Sequence, residues 1–149
     1  MLERVKIVLW LVILIVLIQF VPYGHSHTNP PVIKEPAWDS PQTRDLIHRA
    51  CFDCHSNGTV WPWYSHVAPV SWLLQRDVNE GREHVNFTEW DKPQRHAEHV
   101  AEEVKEGDMP PWFYLPMHPA ARLTDAEKQA VIDGAGKSLG PQKSGPEKD

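Results

Sequence analysis

Residues 49–58 read RACFDCHSNG and hold both cysteines of the chain, Cys51 and Cys54, with His55 directly after the second. Upstream, Ser40 and Pro41 form an N-cap and first-turn pair, and Leu46, Ile47, Ala50, Cys51 and Cys54 then recur at helical spacing. The motif therefore closes a helix, and residues three and four apart share a face, so Cys54 and His55 lie close to the side occupied by Cys51. Four chemistries use such a pair: a redox dithiol, half of a zinc site, a disulfide, or covalent attachment of a prosthetic group. The compartment and the fold around the pair discriminate among them.

Working outward, the 149 residues suit one domain. At the N-terminus Arg4 and Lys6 precede a nearly unbroken apolar run from Ile7 to Val21, with Gln19 its one polar residue. A run of roughly 15–17 residues falls between a signal-peptide core and a full membrane span. No small-x-small cleavage site follows at Val21-Pro22-Tyr23-Gly24, so residues 1–23 are expected to be an uncleaved signal anchor rather than a removed signal peptide. Basic residues before the run and few after it place the rest of the chain outside the cytoplasm. Residues 24–39, with Pro30, Pro31 and Pro36, have the composition of a semi-rigid extended spacer. The tail 140–149 lacks apolar residues and is expected to be disordered. The net charge of −5 is spread along the chain, and no basic stripe points to nucleic acid.

The domain, residues 40–139, is expected to be all-α, with four short helices. The second runs from about Pro69 with Val70, Leu73, Leu74, Val78 and Val85 as its apolar stripe. A third begins near Pro93, carries Ala97, Val100, Ala101 and Val104, and stops at Gly107, a natural C-terminal glycine. The last opens on Thr124-Asp125-Ala126-Glu127, a capping box. Nothing alternates as a strand. Few large aliphatic side chains are available, so a further group is expected to fill the centre.

Without strands, a thioredoxin-like dithiol has no βαβ context. A structural zinc site needs four ligands, and no second pair is present. A disulfide across one helical turn constrains little. Two thiols on one face can instead add to the two vinyl groups along one edge of a haem while the adjacent imidazole reaches the iron, which is the content of C-x-x-C-H. Haem c, one and covalently attached, is the cofactor expected from Cys51, Cys54 and His55.

Three stretches carry a resemblance: CFDCHSNGTVWPWYSHVAPVSWLL, VNEGREHVNFTEWDK and EEVKEGDMPPWFYLPMHPAARLTDAEK. With them the chain from about Trp38 to Leu139 resembles cytochrome c-type proteins, and specifically a family of small haem-binding domains. The resemblance implies a cytochrome c-like fold around a single c-type haem, with His55 as the proximal iron ligand, and implies no settled activity.

For the sixth ligand, Met109 stands in Gly107-Asp108-Met109-Pro110-Pro111, where two prolines fix the loop after it, as axial methionines of cytochromes c stand beside a proline. Met117 and His118, in Pro116-Met117-His118-Pro119, are the alternatives; another histidine or an open site also remains. Either methionine can equally be a gap-filler. His96 and His99 read as a solvated helical face rather than a metal pair, and His25 and His27 belong to the spacer. Trp61, Trp63, Tyr64, Trp72, Trp90, Trp112 and Tyr114 either pack around the haem or belong to the core.

A six-coordinate haem in a small exported domain suits one-electron transfer, since tight ligation spares reorganisation. The expected protein is a periplasmic electron carrier on the inner membrane, single-pass, with redox partners the sequence does not name. A haem-based sensor of small ligands is the alternative, and a peroxidase a more distant one.

Overall fold

Ser40 opens the domain as its sequence predicts: its Oγ accepts from the Thr43 N–H at 3.1 Å, and Pro41 fills the first helical position, where a missing N–H costs nothing. In the computed structural model, which describes residues 1–140, five α-helices follow one another. They are α1 (Leu2–Ile18), α2 (Pro41–His55), α3 (Val70–His84), α4 (Val100–Glu106) and α5 (Asp125–Ser138). Short 3-10 turns lie at Trp63–His66, Ala97–His99 and Pro119–Ala121. Among the described residues the β geometry is limited to one isolated bridge, Lys34 to Glu89, so the fold is all-helical. The tail expected to be disordered lies, Gly140 apart, outside the described residues.

The capping box is present, with Thr124 and Glu127 each bonding the other's backbone. Gly107 ends α4 at φ +86°, a left-handed conformation that suits glycine. The third domain helix is shorter than expected. Residues 93–96 are not helical because Gln94 spends its side chain on the loop before it: Oε1 accepts from Asn86 N–H and Nε2 donates to the Glu89 and Lys92 carbonyls.

Leu46, Ile47, Ala50 and Phe52 of α2 meet Val104 of α4 and Val131, Ala135 and Leu139 at α5, with Val85 and Phe87 entering from the loop after α3. Gly134 lets α5 reach α2, since a Cβ there would fall 2.2 Å from Thr43 Oγ1. The chain thus builds a continuous apolar cluster from its own side chains, where the sequence suggested too few aliphatics for one.

Helix α3 is rotated relative to its expected stripe. Its buried residues are Ser71, Gln75, Val78 and Gly81, while Val70 and Leu73 face outward. The cause is the segment 24–39, expected as a free spacer. It is extended but lies along the domain: Gly24 packs on the Ser71–Trp72 backbone, Ser26 Oγ donates to Gln75 Oε1, and Ile33 and Lys34 N–H groups donate to the Thr88 carbonyl. Glu35 then takes two bonds of 2.8 Å from Arg44. Gln75 of α3 is buried with the strap's Ser26 as a partner, while Ser71 Oγ is buried without a hydrogen-bond partner among the described residues.

Helix α1 has no buried residue. At 1.5 Å per residue its 17 residues reach about 26 Å, short of a hydrocarbon core of about 30 Å. Among the described residues no helix is long and apolar enough to cross a membrane, so the expected membrane-spanning anchor is not supported.

Candidate functional site

The last turn of α2 carries Cys51, Cys54 and His55, and the carbonyls of Phe52, Asp53 and His55 at its end are engaged. Ser56 Oγ donates to the Phe52 carbonyl at 2.7 Å, Phe87 N–H to the His55 carbonyl at 2.9 Å, and Arg82 Nε to the Ser56 carbonyl at 2.7 Å. Orphan carbonyls at a helix end must find such partners. Behind them, the buried side chains of Asn57, Asn86 and Thr88 form a hydrogen-bonded set that fixes the loop after α3 against the motif. Gly81 allows the closest approach: a Cβ there would stand 2.6 Å from the Cys54 carbonyl oxygen.

That approach brings the Val85 carbonyl 3.1 Å from His55 Nδ1. The carbonyl can only accept, so Nδ1 carries the proton and the lone pair resides on Nε2, which makes no hydrogen bond among the described residues. Burial holds His55 below the usual histidine range, opposed by the Val85 and Gly81 carbonyls, so the ring is neutral at pH 7. A neutral imidazole with its Nδ1–H on a carbonyl is the arrangement that presents Nε2 to a metal.

The two thiols are free rather than joined. Burial pushes Cys51 up to about 12, and burial with the charges of Asp77 and Asp53 pushes Cys54 up to about 12. Both stay protonated at neutral pH, so neither is an activated thiolate. Among the described residues no group of three or more histidine, cysteine or acidic side chains is placed to hold a metal ion. Cys51 packs on the apolar cluster, and Cys54 lines a small cleft of about 20 Å³ with Leu74, Val78, Trp61, Tyr114 and His118.

The far wall of this cleft is the loop between α4 and α5. Tyr114 donates its hydroxyl to Asp53 Oδ2 at 2.6 Å, and its ring stacks on His118 at 3.9 Å. Burial first, then Asp53, raises the Tyr114 hydroxyl above its ordinary range. His118 shares a 2.5 Å hydrogen bond with Tyr64 at Nε2, and Nδ1 lies 3.7 Å from Asp53 Oδ2. Nε2 of His118 is therefore occupied, while Nδ1 makes no hydrogen bond among the described residues. Met117 points outward, 58% exposed. Met109 is half-buried and packs on the same apolar cluster as Cys51, its N–H held by the Glu103 carbonyl at 3.1 Å.

The aromatic residues divide. Trp90 and Trp38 pack about Phe87, which stacks on Phe52 at 5.8 Å and lies 6.2 Å from the His55 ring. Trp63 and Trp112 stand in solvent, 74% and 81% exposed, contrary to the expectation that they line a cofactor or the core. Of the remaining histidines, His27 stacks on Trp61 and meets His66 edge-on, while His84, His96 and His99 form an exposed row. Sequence reasoning passed over Phe87, Asp53 and Arg82. Arg82 gave no signal because its four partners, at Ser56, Thr28, Asn29 and Thr59, lie 23 to 54 residues away.

Fold and site together define an all-helical domain that sets a ligand-competent imidazole beside two free thiols. Residues 13–137 match the haem-binding domain family, and the chain belongs to it. No curated protein and no solved structure matches the chain. The residues present fit that family's cofactor: an Nε2 lone pair without a hydrogen-bond partner, neutral thiols on the adjacent turn, and an apolar cleft flanked by aromatic rings.

Proposed function

We propose that the domain carries one haem c, joined through Cys51 and Cys54 with His55 Nε2 and Met109 as iron ligands, and that it passes single electrons outside the cytoplasm. The observation that carries this reading is the His55 Nδ1 to Val85 hydrogen bond, which fixes the tautomer and the ring orientation before any ligand arrives. When bound, the haem supplies an iron that changes by one electron.

The chain's own residues support the assignment of ligands. Met109 is tied at its backbone between the left-handed Gly107 and two prolines, half-buried beside the surface that holds Cys51. Met117 is exposed, and His118 already shares Nε2 with the Tyr64 hydroxyl. The cleft beside Cys54, about 20 Å³, is far below the roughly 300–1,000 Å³ of small-molecule sites, so a larger group requires its wall, the loop 107–119, to move. Helix α1, apolar and exposed on every side after Arg4 and Lys6, supports attachment to a membrane with the domain on the exported side.

Haem retained through denaturing electrophoresis by the wild type, and lost by the Cys51→Ala/Cys54→Ala double variant, tests the attachment. Reduced low-spin bands indifferent to carbon monoxide, changed to a high-spin spectrum by Met109→Ala, test the ligand set. A second reading rests on Asp53, His118 and Tyr64, an acid–base chain beside the cleft that suits binding of a small ligand. Carbon monoxide binding by the reduced wild type would favour it.

A further inference from the structure

Val78 and Val85 of the α3 stripe that periodicity assigns to the core are buried, but its N-terminal part is left outside, and it lies where α1 is fastened to the domain. Val70 and Leu73, three residues apart, are 39% and 57% exposed, and Val67 and Trp63 on the preceding turn extend the patch at 45% and 74%. Ala68, between Val67 and Pro69, holds Gln19 at the end of α1 by both backbone groups. Gln19 Nε2 donates to its carbonyl at 3.0 Å, and Gln19 Oε1 accepts from its N–H at 2.9 Å. Five residues on, Gly24 sits so tightly on the Ser71 backbone that a Cβ would fall 2.7 Å from the Ser71 carbonyl. No free tether separates the apolar helix from this patch.

We propose that Trp63, Val67, Val70 and Leu73 form a lipid-docking face that rests in the interface of the same bilayer that takes up α1. The proposal rests on the membrane attachment of α1. Contiguous exposed apolar surface of this kind marks an interaction site, and its continuity with a helix that buries no residue names lipid as the occupant. The composition agrees. Phe20 and Tyr23 after α1 and Trp63 beside it in the patch are all exposed, and aromatic side chains of this kind are found at headgroup level. A helix shorter than the hydrocarbon core draws its flanking segments into the interface, and this face is the flanking surface. The domain is therefore held against the membrane, not away from it.

The test uses the full haem-loaded chain in vesicles of phosphatidylethanolamine and phosphatidylglycerol doped with a diazirine-bearing phospholipid. After irradiation, labelled peptides are mapped by mass spectrometry. Label in residues 63–73 as well as in α1 is expected, and the Val70→Glu/Leu73→Glu variant, altered only at exposed positions, loses label in 63–73 to background while α1 keeps it. Label confined to α1 overturns the docking face and leaves the membrane reading of α1 standing. No label in either overturns both. Unlabelled but solvent-protected residues 63–73 in a chain of dimeric mass assign the face to a second copy and overturn the proposal.

Discussion

Replacing Gly81 with alanine puts a methyl group 2.6 Å from the Cys54 carbonyl oxygen and 3.0 Å from its carbon, closer than real Cβ atoms come. The atoms it meets are backbone at the end of a capped helix, so they cannot swing aside as a flexible side chain would. In an open helix the same change gains about 1 kcal/mol from helix propensity. Here α3 must move off α2, and forced overpacking of this kind costs about 1–3 kcal/mol. The displaced helix also carries the Val85 carbonyl from His55 Nδ1, a bond worth about 0.5–1.5 kcal/mol. The net expectation is destabilisation by about 0.5–3.5 kcal/mol, with faster solvent exchange of the His55 Nδ1 proton. Urea denaturation followed by circular dichroism, and nitrogen-15 histidine NMR, read the two effects. A Gly81→Ala protein as stable as the parent or more so, with an unchanged His55 signal, refutes the claim that glycine sets the spacing of the two helices at the motif.

Tyr114→Phe removes the hydroxyl that Asp53 accepts and should cost about 1–2 kcal/mol, since a bond to a charged partner is among the stronger ones. In urea titrations the loss should be smaller in an Asp53→Asn background, and equal losses in both backgrounds would contradict the pairing. Arg82→Ala releases four bonds between the strap, Thr59 and the end of α2, and should cost about 2–3 kcal/mol. Limited proteolysis should then cut within residues 24–35, and an uncut strap would place its hold elsewhere. Glu127 is held down to about 2, first by the Thr124 N–H and then by Arg49, against an ordinary 4.5. Because the folded value is the lower one, its contribution is complete above 4.5 and lost as pH falls toward 2. Glu127→Gln should flatten the acid limb of a stability profile in that window, and an unchanged limb would assign it to other carboxylates, Glu35 first among them.

Much of the local structure was legible because its causes are local. The Ser40-Pro41 start, the Thr124 capping box and the glycine stop at 107 each satisfy backbone groups within a few residues, and all three appear where the sequence puts them. The grouping of Cys51, Cys54 and His55 on one turn follows from helical spacing alone. The rotation of α3 was not legible, because its stripe of Val70, Leu73 and Leu74 competes with Ser71, Gln75 and Gly81, and hydrophobicity alone ranks the wrong set first. The strap reversed that ranking by packing Gly24 on the Ser71 backbone and bonding Gln75 through Ser26, and its proline-rich composition reads the same whether it is free or docked. The third helix was overextended because Gln94 reads as a good helix former until its amide is seen bonding the loop behind it.

What the sequence by itself determined is the helical architecture and the C-x-x-C-H element, both written in short-range spacing. The tertiary structure decided which nitrogen of His55 is free, which residues of α3 are hidden, and that the segment after α1 is bound to the domain. Each of these depends on a carbonyl or side chain brought from 30 or more residues away, His55 to Val85 and Gln19 to Ala68 among them, and no local pattern encodes such a meeting.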